Sequence, residues 1–156
     1  MAKLRGIKNI TDNLNKELGK MKKASVKGLI EASIIIRRDM DKTPPLIPID
    51  QGNLRSSWFV TTANKTAKGQ SPKFKGDNAG KMNADHNRVI SSAKGIAMGF
   101  RWPVVVMGFT AEYATDVHED QEKERKRPNS GAKFFEASLN RNKREVLKTL
   151  AENTKI

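Results

Sequence analysis

The chain has 156 residues, no cysteine, and 37% hydrophobic, 30% charged and 6% aromatic residues. This length fits one domain spanning residues 1–156, and the lack of cysteine excludes disulfides, thiolate metal sites and thiol nucleophiles. The formal net charge of +13 predicts attraction to nucleic acid, anionic membrane or an acidic protein, but apolar runs of signal-peptide or transmembrane length are absent, so we expect a protein of a reducing cytoplasm with no membrane partner.

Residues 1–42 are predicted to form an N-terminal helical segment. From Ile7 to Met21, apolar residues recur every three or four positions with lysines between them, which is typical of an amphipathic helix. Apolar residues are denser from Val26 to Ile36, so we expect the second half of the helix to be buried on more than one face. The helix should end before Thr43, because the prolines at 44, 45 and 48 favour extended backbone.

A strand is predicted after a turn at Asp50-Gln51-Gly52. From Leu54 to Thr61, alternate residues share a face, as in a strand. Trp58, in the middle of this strand, is expected to be a core residue.

A long basic loop is predicted over residues 63–88. This segment is rich in lysine, glycine and asparagine and nearly free of apolar residues, which favours a mobile loop over a packed element. Its basic side chains are candidates for contact with DNA or a partner: Lys65, Lys68, Lys73, Lys75, Lys81 and Arg88.

The rest of the chain predicts two strands and a terminal helix. The strands should meet near Arg101-Trp102-Pro103, the second running from Val104 to Phe109. A short helix or turn follows at "TAEYATDVHED", then a charged linker over 121–130 and a C-terminal helix over 131–153, capped near Ser130 or Gly131. The order predicts an α+β domain, with a small, mainly antiparallel sheet packed by the N-terminal and C-terminal helices.

The stretch "YATDVHED" raises the question of a chemical site. It opens onto the one locally acidic region, residues 116–130, which holds five acidic and four basic residues. Metal binding by His118-Glu119-Asp120 is disfavoured, because three adjacent side chains point in different directions. The zinc motif His-Glu-x-x-His is absent, since Glu122 occupies the position of its second histidine. We therefore expect no metal and interpret these residues as structural or interface residues.

Other motifs of catalysis and recognition are also missing. Ser56-Ser57 lacks the glycine-flanked elbow of a nucleophilic serine, and no phosphate-binding glycine loop is present. We expect no catalytic residue and no cofactor. No zinc finger, paired-helix reader or aromatic stacking platform is evident either, so the basic residues predict unspecific phosphate contact rather than sequence recognition.

Three stretches, taken in order, resemble a known family. "PIDQGNLRSSW" resembles a proline-rich entry and turn followed by Leu-Arg-x-Ser, "YATDVHED" resembles a Tyr-Ala-x-x-Val-His/Glu-Glu element, and "RPNSGAKFFEASL" resembles a Gly-x-Lys-Phe-Leu-x-x-Ala-Leu helix start. Together, over roughly residues 44–150, they are similar to the minor capsid and tail-completion proteins of tailed bacteriophages, also called neck or head-tail joining proteins. Phe135 replaces the usual leucine, and the long basic loop is a second departure.

The resemblance implies a non-enzymatic virion protein. Such a subunit would be made in the host cytoplasm and assemble as a ring, expected to be six-fold, at the junction of head and tail. Its partners would be copies of itself, neighbouring neck, portal-side and tail proteins, and the packaged DNA as an unspecific contact. The structural and interface residues carried over are Gly52, Leu54, Arg55, Tyr113, Val117, His118, Glu119, Phe134 and Phe135, with Leu139 also docking the last helix.

Two alternatives remain open on the sequence. A small basic nucleic-acid-binding protein without enzymatic activity would bind DNA tightly as a monomer or dimer. A nuclease would need clustered carboxylates for a metal, and "DVHEDQE" is the region that could supply them.

Overall fold

The computed structural model describes residues 7–122 and 124–155. Within these residues, three strands form one antiparallel sheet of order β2-β1-β3, which confirms the α+β class. The elements in chain order are α1 (Ile7–Lys42), α2 (Asn53–Ser56), β1 (Trp58–Thr62), β2 (Thr66–Lys68), α3 (Ala79–Met98), β3 (Val105–Phe109), α4 (Ala114–Glu119) and α5 (Phe134–Thr154).

Helix α1 confirms the predicted N-terminal helix and its end before Thr43; residues 1–6 of the predicted segment lie outside the described residues. Its second half packs on α5. Gly28 allows the close approach, because a Cβ there would lie 3.1 Å from Cβ of Asn153. The hydroxyl of Ser138 donates to the carbonyl of Ile36 at 3.0 Å, which joins the two helices further along.

The sheet lies between two helical layers. Successive residues of a strand face opposite sides. Phe59 of β1 and Val106 of β3 contact α3 through Ile90, while Met107 and Phe109 pack toward the α1 and α5 layer. Both faces of the sheet are therefore covered, and β1 is buried along nearly its whole length.

The prediction of a loop over 63–88 is wrong at both of its ends. Residues 66–68 form β2, and residues 79–88 form the first half of α3, so the irregular segment is confined to 69–78 between them. The first of the two strands predicted to meet near Arg101-Trp102-Pro103 is also wrong, because residues 89–98 before that turn complete α3. The helix was missed because its buried positions hold the weakly apolar or polar residues Ala93, Ala97 and His86, with Ile90 as the large apolar one.

Two predicted boundaries are shifted. The strand begins at Trp58 rather than Leu54, because residues 53–56 form the helical turn α2, closed by the Ser57 N–H donating to the Asn53 carbonyl at 2.9 Å. The C-terminal helix begins at Phe134 rather than near 131, since Lys133 adopts a left-handed φ of 56° that interrupts the helix there. The strand over 105–109, the short helix after it and the irregular segments over 121–122 and 124–130 agree with expectation.

Candidate interaction surfaces

The three stretches that carry the family resemblance meet at one place in the fold. Leu54 is 4% exposed and Phe134 is 1% exposed, and both belong to one core cluster that includes Ala111. Val117 of α4 and Phe135 of α5 pack against the same cluster. We call this meeting of α2, α4 and the start of α5 the junction.

Backbone hydrogen bonds fix the segments that lead into the junction. The Leu46 N–H donates to the Asn129 carbonyl at 2.9 Å, and the Gly131 N–H donates to the Leu46 carbonyl at 3.3 Å. These bonds form a short parallel bridge between Leu46 and Ser130. A Cβ on Gly131 would lie 2.9 Å from Cβ of Pro45, so glycine permits this approach. The proline-rich segment and the charged linker are thereby joined.

His118 and Glu119 fix the start of α5. The Lys133 N–H donates to the His118 carbonyl at 2.8 Å, and the His118 ring meets the Phe134 ring edge-on at 5.1 Å between centroids. Nδ1 of His118 lies 2.7 Å from Oε1 of Glu119, whose other oxygen accepts from Nζ of Lys133. Hydrogen bonds from Lys133 and then His118 lower the pKa of Glu119, and the hydrogen bond to Glu119 raises the pKa of Lys133. These contacts hold Lys133, the residue with left-handed backbone conformation that precedes α5, in place.

Arg55 belongs to an arginine cluster around Asp41. Its Nε lies 3.1 Å from Oδ1 of Asp41, and the same carboxylate pairs with Arg37 and, at 3.8 Å, with Arg127. Burial lowers the pKa of Arg37, and its guanidinium lies 5.6 Å from the ring centroid of Trp58. The cluster ties the end of α1 to α2 and to the linker.

A cavity of about 840 Å³ opens beside the junction. Its rim carries charges of both signs, with Asp50 paired to Lys126. Burial, followed by the negative charge of Asp50, raises the pKa of Tyr113. Apolar residues and residues of the stretches that carry the family resemblance line the cavity: Ile49, Gly52, Leu54, Met82, Tyr113 and Val117.

A second concave surface of about 830 Å³, which we call the basic groove, lies between α1, the turn after β1 and the loop before β3. Its floor includes Val26, Ile30 and Ile34 of α1. The loop contributes Phe100 and Trp102, which are 57% and 72% exposed. Glu31 is the single carboxylate of the groove. Six basic side chains outnumber it: Lys22, Lys23, Lys27, Lys65, Lys68 and Arg101.

The cavity and the basic groove lie at opposite ends of the sheet. In the β1–β3 ladder, Trp58 pairs with Phe109 at one end and Thr62 pairs with Val105 at the other. The chain enters β1 from α2 and leaves β3 toward α4, both beside the cavity. The turn after Thr62 and the loop before Val105 line the basic groove. The chain therefore presents two different surfaces along the strand direction.

The six basic residues proposed to contact DNA or a partner do not share one surface. Lys65 and Lys68 line the basic groove, whereas Lys75 lines the cavity beside the junction. Two others are held by acids: Nζ of Lys81 lies 2.9 Å from Glu112, and Arg88 lies 2.7 Å from Asp85. Lys73 is exposed on the 69–78 segment.

Sequence reasoning missed the role of His86, which it placed in a loop. His86 is 1% exposed, and its Nδ1 lies 2.7 Å from Oγ1 of Thr110 while its Nε2 lies 2.6 Å from the Gly69 carbonyl. Its ring also meets Phe74 edge-on at 5.8 Å. His86 therefore anchors the 69–78 segment to the sheet, a contact that residue pattern alone does not signal.

Sequence reasoning also missed the exposed aromatic pair of the basic groove, since it assigned Trp102 to a strand connection without a role. The signal was present, because Phe100 and Trp102 flank Arg101 in a glycine- and proline-bounded turn.

Within residues 7–122 and 124–155, no group of three acidic or histidine side chains is placed to hold a metal ion. None of the helices described is long and apolar enough to cross a membrane. Comparisons with known protein families, curated proteins and solved structures return no match to this chain.

Proposed function

We propose that this protein is a structural subunit of the head-tail junction of a tailed bacteriophage, where copies assemble into a ring around the DNA channel. The observation that carries the proposal is the packing of α2, α4 and the start of α5 against one another. Three separate stretches that resemble the neck and tail-completion family contact one another through Leu54, Val117, His118 and Phe134. Residues that match a family in order and also pack together are better support than motifs scattered over a surface.

Exposed apolar side chains support an assembling subunit. On the first half of α1, Leu14, Leu18 and Met21 are 58%, 45% and 41% exposed. A second exposed group surrounds Trp102 at the basic groove. Contiguous apolar surface of this kind is typical of proteins that bury it against a partner.

The positive charge of the chain is compatible with a ring whose inner surface faces DNA. A net charge of +13 attracts phosphates without reading sequence. Exposed basic residues such as Lys73 and Lys75 lie on an irregular segment rather than on a helix shaped for a groove of DNA. Such a surface retains DNA weakly and in a salt-dependent way, which suits a channel that must also release it.

The mass and shape of the purified chain test the proposal. Light scattering and electron microscopy would be applied to the protein alone and after mixing with phage heads or tails that lack it. We expect rings, or particles restored to head-tail joining. A monomer that restores no joining and binds duplex DNA tightly at physiological salt would contradict the proposal.

Charge reversal at Lys73, Lys75 and Lys81 tests the DNA contact separately. We expect joining to persist while DNA retention in assembled particles falls. The matched control is Lys143→Glu with Arg144→Glu on the exposed side of α5. Unchanged assembly and unchanged DNA retention would rule out a role for these lysines.

A second candidate function is supported by the basic groove, where lysines surround two exposed aromatic rings. Basic and aromatic residues together favour binding of single-stranded nucleic acid. A small nucleic-acid-binding protein would show tight binding to an oligonucleotide without assembly, and loss of that binding in Trp102→Ala.

A further inference from the structure

We propose that copies of this chain associate head to tail, with the basic groove of one copy receiving the acidic end of the next. The acidic end is the face around α4 and the residues that flank it. Its exposed carboxylates are Glu112, Asp116, Glu119, Asp120 and Glu122. The proposal deepens the ring proposed above, because it names the two surfaces that would meet.

The charges of the two surfaces are complementary. Six basic side chains border the groove, against the single carboxylate of Glu31. In the part of the chain that the structure describes, Lys65 and Lys68 have no ion-pair partner, and neither do Asp116 and Glu122 at the other end. Opposite charges that are not neutralised within a subunit favour pairing between subunits.

The position of the two surfaces prevents a copy from satisfying its own charges. They lie at opposite ends of β3, whose five residues span about 15 Å. A contact between two different surfaces of identical subunits is heterologous, so it repeats from copy to copy. Such a contact closes into a ring when the rotation between copies divides a full turn.

The apolar content of the groove favours a protein occupant over duplex DNA. Met98, Phe100 and Trp102 are 70%, 57% and 72% exposed, and interface cores are enriched in methionine, aromatic residues and arginine. The acidic end offers an apolar counterpart, since Tyr113 is 39% exposed and Val117 lines the adjacent cavity. A duplex phosphate backbone offers no such apolar surface.

Engineered cysteines test the contact directly. The chain has no cysteine, so a disulfide between copies can join only introduced residues. Asn64→Cys places a thiol at the basic groove, and Thr115→Cys places one on α4; both positions are exposed and neutral. The two full-length variants would be mixed under mild oxidation, and the products would be separated on a non-reducing gel. Asn140→Cys, exposed on α5, measures random collisions.

We expect disulfide-linked dimers from the mixture of Asn64→Cys and Thr115→Cys, and a ladder of oligomers when both changes are in one chain. Lys65→Glu with Lys68→Glu should reduce cross-linking at least about tenfold, because like charges across an interface cost several kcal/mol. Adding Asp116→Lys and Glu122→Lys to the partner copy should restore it. The Lys143→Glu, Arg144→Glu control, placed in the same cysteine variants, should leave the yield of cross-linked dimer unchanged.

Three results would overturn the proposal. Cross-linking in the mixture no higher than with Asn140→Cys would show that the surfaces do not meet. Dimers from either single variant in equal yield would indicate a symmetric contact. Unchanged cross-linking in Lys65→Glu with Lys68→Glu, together with loss of oligonucleotide binding, would show that these lysines bind nucleic acid and do not pair with the acidic end. Head-tail joining without this cross-link would overturn the interface alone, whereas the cross-link without any joining would overturn the proposed function alone.

Discussion

Replacing Gly69 by alanine tests whether the segment 69–78 is part of the packed fold. Gly69 has a φ of 75°, and a Cβ there would lie 2.1 Å from the carbonyl oxygen of Trp58 and 2.8 Å from Cα of Phe59. Both atoms belong to the backbone of β1, the central strand, so no flexible side chain can move aside. The carbonyl of Gly69 also lies 2.6 Å from Nε2 of His86, which holds the same segment to α3.

The cost of Gly69→Ala follows from three contributions. The left-handed conformation costs alanine about 1–2 kcal/mol. Moving the segment away from β1 weakens hydrogen bonds worth about 1 kcal/mol each, and the lower entropy of the unfolded chain returns about 0.5–1 kcal/mol. We expect the free energy of unfolding to fall by at least about 2 kcal/mol, and the Tm to fall by about 4–8 °C.

Urea and thermal unfolding followed by far-UV circular dichroism would measure this change. Gly95→Ala is the matched control, because a Cβ at this α3 position would meet no atom within 4 Å beyond its chain neighbours and the backbone of its own helix. It should leave stability unchanged or raise it by up to about 1 kcal/mol through helix propensity. A Gly69→Ala variant within about 0.5 kcal/mol of the parent, beside a normal control, would refute the packing of 69–78 on β1.

Three further predictions concern contacts that hold the layers together. Asp41→Asn removes the negative charge shared by three arginines, of which Arg37 is largely buried, so we expect a loss of about 2–3 kcal/mol in urea unfolding; an unchanged midpoint would contradict the cluster. His86→Ala removes the hydrogen bonds to Thr110 and to the Gly69 carbonyl and leaves a void, so unfolding should be easier by about 2–4 kcal/mol, and protease cleavage within 69–78 should be faster. Unchanged cleavage would contradict the role of His86 as an anchor. Burial raises the pKa of Asp39, but hydrogen bonds led by Arg141 outweigh burial and hold that pKa below 3.8. The stability that Asp39 contributes is therefore present above its pKa in the unfolded chain and is lost as the pH falls through its pKa in the folded protein. Arg141→Met should thus lower the free energy of unfolding more at pH 7 than at pH 2, and an equal loss at both pH values would contradict the assignment.

Much of the fold could be predicted from the sequence, where local pattern and burial agree. The end of α1 was predictable because proline excludes helix, and β3 was predictable because a short apolar run lies between turn residues. Helix α3 was not, since it fills its buried positions with His86, Ala93 and Ala97 and its exposed side with residues common in loops. Its buried face packs on Phe59 of β1, a contact distant in sequence that no local window contains.

The candidate site shows the same division. The residues of the junction could be grouped from the sequence because each lies in a short recognisable stretch, and the structure shows that they contact one another. The basic residues were grouped by their place in one presumed loop, and that grouping failed once the loop became a strand, a short segment and a helix. Lys65 and Lys68 then belong with Lys22 and Lys27 of α1, a neighbourhood that arises only from the packing of α1 along the sheet.

The histidine in "YATDVHED" illustrates how a polar cluster can stabilise packing within the fold. His118 contributes its ring to the packing of Phe134 and its carbonyl to the start of α5, while Glu119 holds Lys133 in a left-handed conformation. These contacts use the inward side of the acidic segment and leave the carboxylates of Asp116 and Glu122 exposed on the outside. One short element therefore fixes the terminal helix and also presents charge at the surface. Under the proposed contact between copies, changes to its inward residues should impair folding, whereas changes to its exposed carboxylates should impair assembly alone.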